Sequence, residues 1–496
     1  MHRLKTFIIA LVAIGVACAT PAMGSNESVE ETLKLTSCQL SMPGSPTRLA
    51  ADCGTLTVYE NRKAASGRKI DLHIAVRKAY RRVPDPDPLF LLAGGPGQAA
   101  TEAYVQMRWI FEKINRARDI VLVDQRGTGK SHPLKCAEPD GESTLAEENN
   151  PEKIRELVTT CLKNLDADPA FYTTPIAMAD LDDIRHALGY EKINIYGISY
   201  GTRAALTYLR QFPDRVRAMI LDGVVPQDEA LGRDIARDAQ RALDLIMDRC
   251  KADKDCHAAF PDIAGGVDTL IRKLKESPAE LTIDHPMSGK ATPFTLDWKT
   301  FASTLRLFSY SDTTVVILPL LIHNALEADD LGRLGAQSLF LHQQMKDALA
   351  IGMHNSIICT EDVPFLDLQE ARKRNEETYL SDFQVEGLME ICKLWPKGEL
   401  PPDFKEPVSS AIPVLLLSGE ADPVTPPENA EQVAETLSNS LHIVVAGQGH
   451  GVIGKGCLPE IARSFIATAS ISTLETSCIE KIGATPFFID FAGPPP

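Results

Sequence analysis

Short apolar runs recur along this chain, and each is followed by a loop rich in glycine and polar residues. Each run holds four or five residues, which favours a strand buried on both faces over an amphipathic helix. We interpret as buried strands the runs Pro88–Leu92, Asp119–Val123, Ile193–Tyr196, Ala218–Leu221, Pro413–Leu417 and His442–Val445. Helical spacing follows the third run, over Thr202–Phe212. The pattern predicts an α/β protein that has a mostly parallel sheet with helices on both faces.

The third run leads into Gly197-Ile198-Ser199-Tyr200-Gly201, which places a serine between two glycines. A strand before the serine and a helix after it form the setting of a nucleophile elbow. Glycine on each side leaves room for a strained turn that lifts the serine hydroxyl above the sheet. Ser199 is therefore the predicted nucleophile of an acyl-transfer enzyme.

A serine hydroxyl needs a base within hydrogen-bond reach, and the base needs a group that orients it. His450 lies in a glycine-rich loop after the run ending at Val445, and Asp422 lies in the loop after Leu417. Catalytic groups of parallel sheets gather at the carboxyl ends of the strands. We predict His450 as the general base and Asp422 as its orienting acid, with Asp222, after another strand, as the alternative acid.

Two glycine-rich turns follow other predicted strands. A tetrahedral intermediate needs backbone N–H donors aimed at its oxyanion, and the turn Gly94–Gly97 can supply one of them. We predict the N–H groups of Gly95 and Tyr200 as the two donors. The second turn, Asp124–Ser131, ends like a phosphate-binding loop but lacks its upstream glycine spacing. We interpret it as a structural loop beside the active site.

Together these motifs resemble the proline iminopeptidase and tripeptidyl aminopeptidase branch of the α/β-hydrolases, where the order is also Ser, Asp, His. The resemblance runs from about Thr55 to the C-terminus, and Ile412–Ala467 is similar to the C-terminal segment of the secreted tripeptidyl aminopeptidases. It implies an α/β-hydrolase fold and exopeptidase activity. Ala93 stands where many relatives have histidine, so the proline-specific subgroup is not implied.

A long segment separates the serine from the later acid and base. Its apolar residues recur at helical spacing, as in Ala230–Arg249 and Leu331–Met353, so it is a predicted lid over the strand ends. The predicted division of the chain is a signal peptide at 1–24, a first part of the α/β-hydrolase core at 25–225, a helical lid at 226–406 and a second part of the core at 407–496.

Substrate choice would be set in this lid. An aminopeptidase must hold the cationic α-amine of its substrate, and a carboxylate in a closed pocket does so. Glu361 and, after it, Asp362 are the predicted ligands for this amine, because a disulfide from Cys359 would hold their loop rigid. The resemblance implies the same role for an acidic residue after a similar cysteine-containing segment.

The chain begins with basic residues, an apolar core over Phe7–Ala17 and an exit of small residues, which is the pattern of a signal peptide. We therefore expect an exported protein, periplasmic or secreted. Cys18 offers the alternative of a lipid anchor, although the leucine usual three residues before it is missing. No later segment of the sequence is long and apolar enough to span a membrane.

The chain has 11 cysteines, and an even number remains once Cys18 leaves with the signal peptide. In an exported chain this indicates disulfides. Loop closure favours pairs of neighbours, although sequence does not fix the connectivity. The favoured pairs are Cys38–Cys53, Cys136–Cys161, Cys250–Cys256, Cys359–Cys392 and Cys457–Cys478. Because no Cys-x-x-Cys pair exists and no histidine pair has ligand spacing near the cysteines, we predict no metal or other cofactor.

The formal net charge is −16 at pH 7, which argues against nucleic acids and anionic membrane surfaces as partners. The sequence predicts an exported serine hydrolase, an aminopeptidase that releases short N-terminal units from peptides with a free N-terminus. Two alternatives are a carboxylesterase or lipase with the same triad, and a non-catalytic binding module of the same fold. The oligomeric state stays open.

Overall fold

The computed structural model describes residues 33–136 and 150–494, so the predicted signal peptide and Cys18 lie outside the described residues. The strands are β1 (Thr36–Leu40), β2 (Leu49–Tyr59), β3 (Lys69–Arg77), β4 (Leu89–Leu92), β5 (Ile120–Val123), β6 (Ile193–Ile198), β7 (Val216–Asp222), β8 (Ala279–Asp284), β9 (Ala291–Leu296), β10 (Val414–Gly419) and β11 (Ser440–Val445). The α-helices are α1 (Ala100–Asn115), α2 (Pro151–Asn164), α3 (Thr174–Ala187), α4 (Tyr200–Gln211), α5 (Ile235–Ala252), α6 (Lys254–Ala259), α7 (Ile263–Glu276), α8 (Trp298–Phe308), α9 (Asp312–Val315), α10 (Leu318–Glu327), α11 (Leu331–Ala348), α12 (Ile351–Ile357), α13 (Leu368–Asn375), α14 (Phe383–Leu394), α15 (Pro427–Ala434) and α16 (Leu458–Thr468).

Nine of these strands form one sheet in the described part of the chain, in the order β1-β2-β3-β5-β4-β6-β7-β10-β11. The last six in this order are parallel, and β1, β2 and β3 add an antiparallel edge. The six predicted strands are the six parallel ones, with ends that differ by one or two residues. The predicted α/β-hydrolase fold class is confirmed.

Both faces of the sheet are covered by helices, which explains why the parallel strands are apolar at nearly every position. In β4, Leu89 and Leu91 pack on one face with side chains of α1 and α16. Phe90 and Leu92 pack on the other face with side chains of α3 and α4. Successive side chains of a strand point to opposite faces, so a strand between two helical layers has no solvent-exposed side.

Residues 226–406, between β7 and β10, build a separate apolar cluster from side chains of α5, α7, α8 and α10. Besides its helices, the segment contains an antiparallel hairpin of β8 and β9, which the helical spacing did not predict. Ile283, Phe294 and Leu296 of this hairpin are buried against the cluster. Phe487, near the C-terminus, also packs there, so the C-terminal segment contacts more than the hydrolase core.

All five predicted disulfides are present. The bonded pairs are Cys38–Cys53, Cys136–Cys161, Cys250–Cys256, Cys359–Cys392 and Cys457–Cys478. Disulfides of this density are typical of proteins from oxidising compartments. Within residues 33–136 and 150–494, none of the helices combines the length and the apolar character that a membrane crossing requires.

Candidate active site

Ser199 occupies the sharp turn between β6 and α4, with φ 56° and ψ −128°. Residues with a side chain rarely adopt this positive φ. The flanking glycines make the turn feasible. A Cβ atom on Gly197 would lie 2.5 Å from the carbonyl oxygen of Gly201, and one on Gly201 would lie 2.2 Å from that of Leu92. The serine is thus held where β6 ends, in the strand–turn–helix context that the sequence predicted.

His450 and Asp422 lie together, with Nδ1 of the imidazole 2.8 Å from Oδ2 of the carboxylate. Asp422 follows β10 and is fully buried, and its Oδ1 accepts hydrogen bonds from the N–H groups of Val424 and Thr425. The Thr425 hydroxyl donates to Oδ2 at 2.8 Å and lies 3.1 Å from Nδ1 of His450. Because Nδ1 is occupied, Nε2 is the nitrogen left to exchange a proton.

The two charges of this pair support each other. Burial alone would raise the pKa of Asp422, but the charge of His450 and the hydrogen bonds to its oxygens hold this pKa below its usual value. Burial would likewise lower the pKa of His450, yet the charge and hydrogen bond of Asp422 raise it. An imidazole held in this way can carry a proton during acyl transfer.

Asp222, the alternative acid, ends β7 and is also fully buried. Its two carboxylate oxygens accept hydrogen bonds from the N–H groups of Val452 and Ile453, at 2.9 and 3.0 Å, and the Tyr196 hydroxyl donates to Oδ2. Asp222 therefore fixes the loop after His450, while Asp422 fixes the imidazole itself. This geometry favours Asp422 as the orienting acid.

The inserted segment also touches the histidine loop, at the turn after α8. The carbonyl oxygen of Tyr310 accepts a hydrogen bond from the N–H of His450 at 2.8 Å, and the Tyr310 ring packs edge-on against the imidazole, with centroids 5.4 Å apart. A Cβ atom on Gly449 would lie 2.6 Å from this carbonyl oxygen. Gly449 therefore permits the close approach of the two loops. Nothing in the local sequence around Tyr310 indicates this contact.

The predicted oxyanion turn adjoins Ser199. A Cβ atom on Gly94 would lie 3.0 Å from Cβ of Ser199, and one on Gly95 would lie 2.9 Å from the side chain of Leu349 in the inserted segment. Tyr200, which carries the other predicted donor, is the first residue of α4, and N–H groups in a first helical turn have no acceptor within the helix. The turn and the helix start thus both adjoin the serine.

Two charged groups of the loop over Asp124–Ser131 have partners within the protein. Asp124 is fully buried and accepts hydrogen bonds from the N–H groups of Thr101 and Lys130, at 3.0 and 3.1 Å. The buried guanidinium of Arg126 pairs with Asp180 at 2.6 Å. These contacts agree with the structural role predicted for the loop.

A cleft opens at Ser199 between the sheet and the inserted segment. Its lining residues are Gly95, Pro96, Ser199, Tyr200, Arg203, Val225, Glu229, Leu231, Gly232, Ile235, Asp238, Ile358, Asp362, Val424, Thr425 and Asn429. Three of them are carboxylates and one is a cation. Burial raises the pKa of Glu229 to about 7 and that of Asp238 to about 6. A cation entering the cleft would favour the ionised form of both.

Asp362 lies in this cleft at the end of a π-helical turn, Ile358–Asp362. It is fully buried, and its Oδ1 pairs with the guanidinium of Arg203 at 2.8 Å and accepts a hydrogen bond from the N–H of Leu231. Its other oxygen, Oδ2, has no hydrogen-bond partner among the described residues. The carboxylate therefore keeps one acceptor for a further donor.

Glu361 lies in the same π-helical turn but makes different contacts. It is fully buried and does not line the cleft, and its two oxygens accept hydrogen bonds from the N–H and the hydroxyl of Thr174, at 2.6 and 2.7 Å. The Thr174 hydroxyl lies 2.7 Å from the phenol oxygen of Tyr200. The structure thus brings Asp362, rather than Glu361, to the wall of the cleft that contains Ser199.

Sequence reasoning missed several residues around the site. Glu229, Asp238 and Arg203 share the cleft with Asp362, but their positions in the sequence carry no motif. The contact of Thr425 with Asp422 could have been predicted from the sequence. An aspartate often accepts hydrogen bonds from N–H groups two and three residues later, as Asp422 does here.

The chain has the α/β-hydrolase fold. A family profile described as "alpha/beta hydrolase fold" matches residues 87–255, and a second profile, described as "TAP-like protein", matches residues 377–478. The first match contains the predicted nucleophile and the second contains the predicted acid and base. Together they confirm the resemblance that the sequence motifs indicated.

Named relatives place the chain near peptidases. It is 26% identical over 511 residues to serine protease Hip1 of Mycobacterium tuberculosis, covering 92% of this chain and 93% of the relative. It is 24% identical over 461 residues to a tripeptidyl aminopeptidase of Streptomyces coelicolor, covering 86% and 82%. A proline iminopeptidase of Neisseria gonorrhoeae is 30% identical over 142 residues, which is 28% of this chain and 34% of that one.

Proposed function

We propose that this protein is a serine hydrolase that acts as an aminopeptidase and releases short N-terminal units from peptides. Ser199 is the nucleophile, His450 the general base and Asp422 the acid that orients it. The observation that carries the proposal is the cleft in which Ser199 and the carboxylates of Glu229, Asp238 and Asp362 lie together. Peptidase relatives of similar length support it.

In the proposed mechanism, Nε2 of His450 takes the hydroxyl proton of Ser199 as the oxygen attacks the scissile carbonyl carbon. The negative charge that develops on the carbonyl oxygen is stabilised by the N–H groups of Gly95 and Tyr200. The imidazolium, stabilised by Asp422, then protonates the leaving amine, and an acyl-enzyme ester remains. Water attacks this ester with His450 again as the base, which releases the acid product and restores the serine.

The carboxylates of the cleft fit the charge of a peptide N-terminus. An α-ammonium group is a cation with three donors, and Asp362 has an oxygen without a partner among the described residues. Glu229 and Asp238 hold protons more readily than usual because they are buried, and a nearby ammonium would ionise them. We therefore propose Asp362 as the ligand of the substrate amine. Glu361, the other residue that the sequence predicted for this role, does not line the cleft.

Export belongs to the same proposal. The five disulfides favour an extracellular or periplasmic compartment, and the basic and apolar N-terminal pattern supports a cleaved signal peptide. The intact mass of the exported protein should fit a start near Ser25 and the loss of about ten hydrogens in five disulfides. A mass that includes acyl chains on Cys18 would instead establish a lipid anchor.

The activity is tested with a panel of fluorogenic amides that carry one, two or three residues with free N-termini, beside a short-chain neutral ester. We expect hydrolysis of at least one free-amine amide with kcat/KM well above that for the ester. Ser199→Ala is the matched control and should lose activity by several orders of magnitude while remaining folded. Hydrolysis of the ester alone would favour the carboxylesterase alternative, and activity retained in Ser199→Ala would remove the serine from its role.

A further inference from the structure

Glu361 is a fully buried carboxylate for which the proposed mechanism has no use. It belongs to the π-helical turn Ile358–Asp362 of the inserted segment, yet both its oxygens bond to Thr174, at the start of α3 in the hydrolase core. Thr174 is itself fully buried. This contact joins the inserted segment to the core. It lies outside the cleft, because Glu361 is not one of the lining residues.

The hydroxyl protons in this contact can be counted. A threonine hydroxyl has one proton to donate. When Glu361 is ionised, its Oε2 can only accept, so the Thr174 hydroxyl donates to it at 2.7 Å. The oxygen of Thr174 must then accept the proton of the Tyr200 phenol, which lies 2.7 Å away. The ionised carboxylate thus sets one direction of hydrogen bonds, from Tyr200 to Thr174 to Glu361.

Tyr200 links this chain of hydrogen bonds, called the relay below, to the proposed oxyanion site. It follows Ser199 directly, and its backbone N–H is one of the two proposed oxyanion donors. Its phenol oxygen has a second neighbour, Oε1 of Gln125, at the longer distance of 3.4 Å. The Tyr200 side chain is almost completely buried, so its phenol has no access to bulk water. The group that accepts its single phenol proton therefore determines where the residue is held.

We propose that Glu361 is a positioning residue, which fixes Tyr200 through Thr174 and thereby aims the backbone N–H that stabilises the oxyanion. The inference rests on the proposed function for the role of that N–H group. It assigns Glu361 to the acyl-transfer step and not to recognition of the substrate amine.

The surroundings of Glu361 make its ionisation sensitive to pH. Burial raises its pKa to about 7, against the opposing charge of Arg203 and the hydrogen bonds from Thr174, and Asp362 adds a further like charge. Lys405 also faces it, and burial lowers the pKa of this lysine to about 8. A protonated Glu361 can donate to Thr174. The direction of these hydrogen bonds is then reversed, and the phenol proton of Tyr200 points to Gln125.

Glu361→Gln tests the inference, because its amide mimics the protonated carboxyl at nearly the same size. We expect kcat to fall about tenfold on a free-amine peptide amide, on its N-acetylated counterpart where that is cleaved, and on a neutral ester. KM and the ratio of free-amine to acetylated kcat/KM should stay unchanged. Glu376→Gln, an exposed acid of the same segment, is the matched control and should leave kcat unchanged.

The pH profile separates positioning from a purely structural role. On a neutral ester, whose cleavage does not depend on the carboxylates that face the amine, both His450 and Glu361 of the wild type must lose a proton for full activity, so the acid limb of log kcat/KM should have a slope between 1 and 2. In Glu361→Gln the slope should fall to 1, because only His450 remains. An unchanged slope would contradict the inference.

Two variants in the relay serve as checks if Glu361→Gln folds poorly. Tyr200→Phe should reproduce the loss of kcat, and adding Glu361→Gln to it should cost little more, since both break the same chain of hydrogen bonds. Thr174→Val should behave similarly, and Thr174→Ser should restore activity. A loss confined to free-amine substrates would make Glu361 an amine ligand and overturn the inference. If the wild type does not discriminate the amine, the proposed aminopeptidase role fails, while the ester assay still tests Glu361.

Discussion

At the scale of single residues, the two carboxylates near His450, Asp422 and Asp222, bond to different groups. Asp422 bonds to the imidazole, whereas Asp222 bonds to backbone N–H groups of the following loop. Asp422→Asn should therefore lower kcat by about 10⁴-fold, because an amide favours the wrong imidazole tautomer. Asp222→Asn should mainly lower stability, because it weakens two buried hydrogen bonds.

The measurement for this pair is kcat beside the free energy of unfolding in urea for each variant. Both variants should lose stability, because Asp422 also accepts buried hydrogen bonds, but only Asp422→Asn should have almost no activity while it is folded. If Asp222→Asn lost more activity than Asp422→Asn at equal folding, the acid would have to be moved to β7.

Glu361 also predicts a pH dependence of stability. Because its folded pKa, about 7, lies above the ordinary 4.5, the folded protein binds this proton more tightly than the unfolded chain does. Its contribution is therefore present below pH 4.5 and is lost as the pH rises to about 7, by about 3 kcal/mol in total. Glu361→Gln should lose this decline, as measured by urea unfolding from pH 4.5 to 7.5. An equal decline in variant and wild type would contradict the burial of an ionisable group at this position.

The same two residues mark the limit of prediction from sequence. Glu361 and Asp362 are adjacent, and both are acidic, so no local pattern shows which one reaches the cleft. The answer depends on the π-helical turn and on Thr174, which lies 187 residues earlier in the chain. By contrast, Ser199 directly follows an apolar strand, and Asp422 and His450 lie in the loops after two others, so the sequence locates each of them relative to the sheet.

Helix α4 needs a glycine at position 201, where it approaches β4 closely. In Gly201→Ala, the new Cβ would lie 2.2 Å from the carbonyl oxygen of Leu92, so we expect a loss of at least about 2 kcal/mol in the free energy of unfolding. Gly387, inside α14, has no atom within 4 Å of a built Cβ. Gly387→Ala should stabilise the protein by about 0.5–1 kcal/mol.

Urea unfolding of the two variants beside the wild type measures this difference. The two changes in the free energy of unfolding should have opposite signs, although both glycines are helical and both substitutions add one methyl group. A stable Gly201→Ala protein with full activity would contradict the close approach of α4 to β4.

The Cys359–Cys392 disulfide ties the π-helical turn that carries Asp362 to α14. Replacing both cysteines by alanine should lower stability by about 3–4 kcal/mol and should also lower kcat/KM on free-amine amides, because the turn is released. Cys38–Cys53, between β1 and β2, is the matched control. Its removal should lower stability by a similar amount and leave kcat/KM unchanged, when both variants are assayed well below their unfolding temperatures. Equal activity in the two variants would contradict a role of the turn in the cleft.

At the scale of elements, the parallel strands were predictable because each is a continuous apolar run. The hairpin β8–β9 was not predicted, although the alternation of apolar and polar residues over Ala279–Asp284 is typical of a half-buried strand. In the second strand, Ala291–Leu296, the alternation is less regular. What identifies the hairpin is its packing against the cluster of the inserted segment, and that packing is a long-range property.

At the scale of the whole molecule, the inserted segment contributes to the site on three sides. Tyr310 holds the histidine loop, Leu349 packs on the oxyanion turn, and Asp362 lines the cleft. The hydrolase core supplies the acyl-transfer groups, and the inserted segment supplies their surroundings. In the proposed function, the core therefore carries out the chemistry and the inserted segment selects a free N-terminus.

The most direct test of this account compares one fluorogenic peptide amide with its N-acetylated form, using the wild-type protein. Acetylation replaces the cationic α-amine of the substrate by a neutral amide that carries an acetyl group, and it leaves the folding and the acyl-transfer groups of the protein untouched. If the amine pairs with Asp362 in the cleft, its loss costs about 2–5 kcal/mol, and kcat/KM should fall by at least about 30-fold. Equal kcat/KM values for the two substrates would contradict the account.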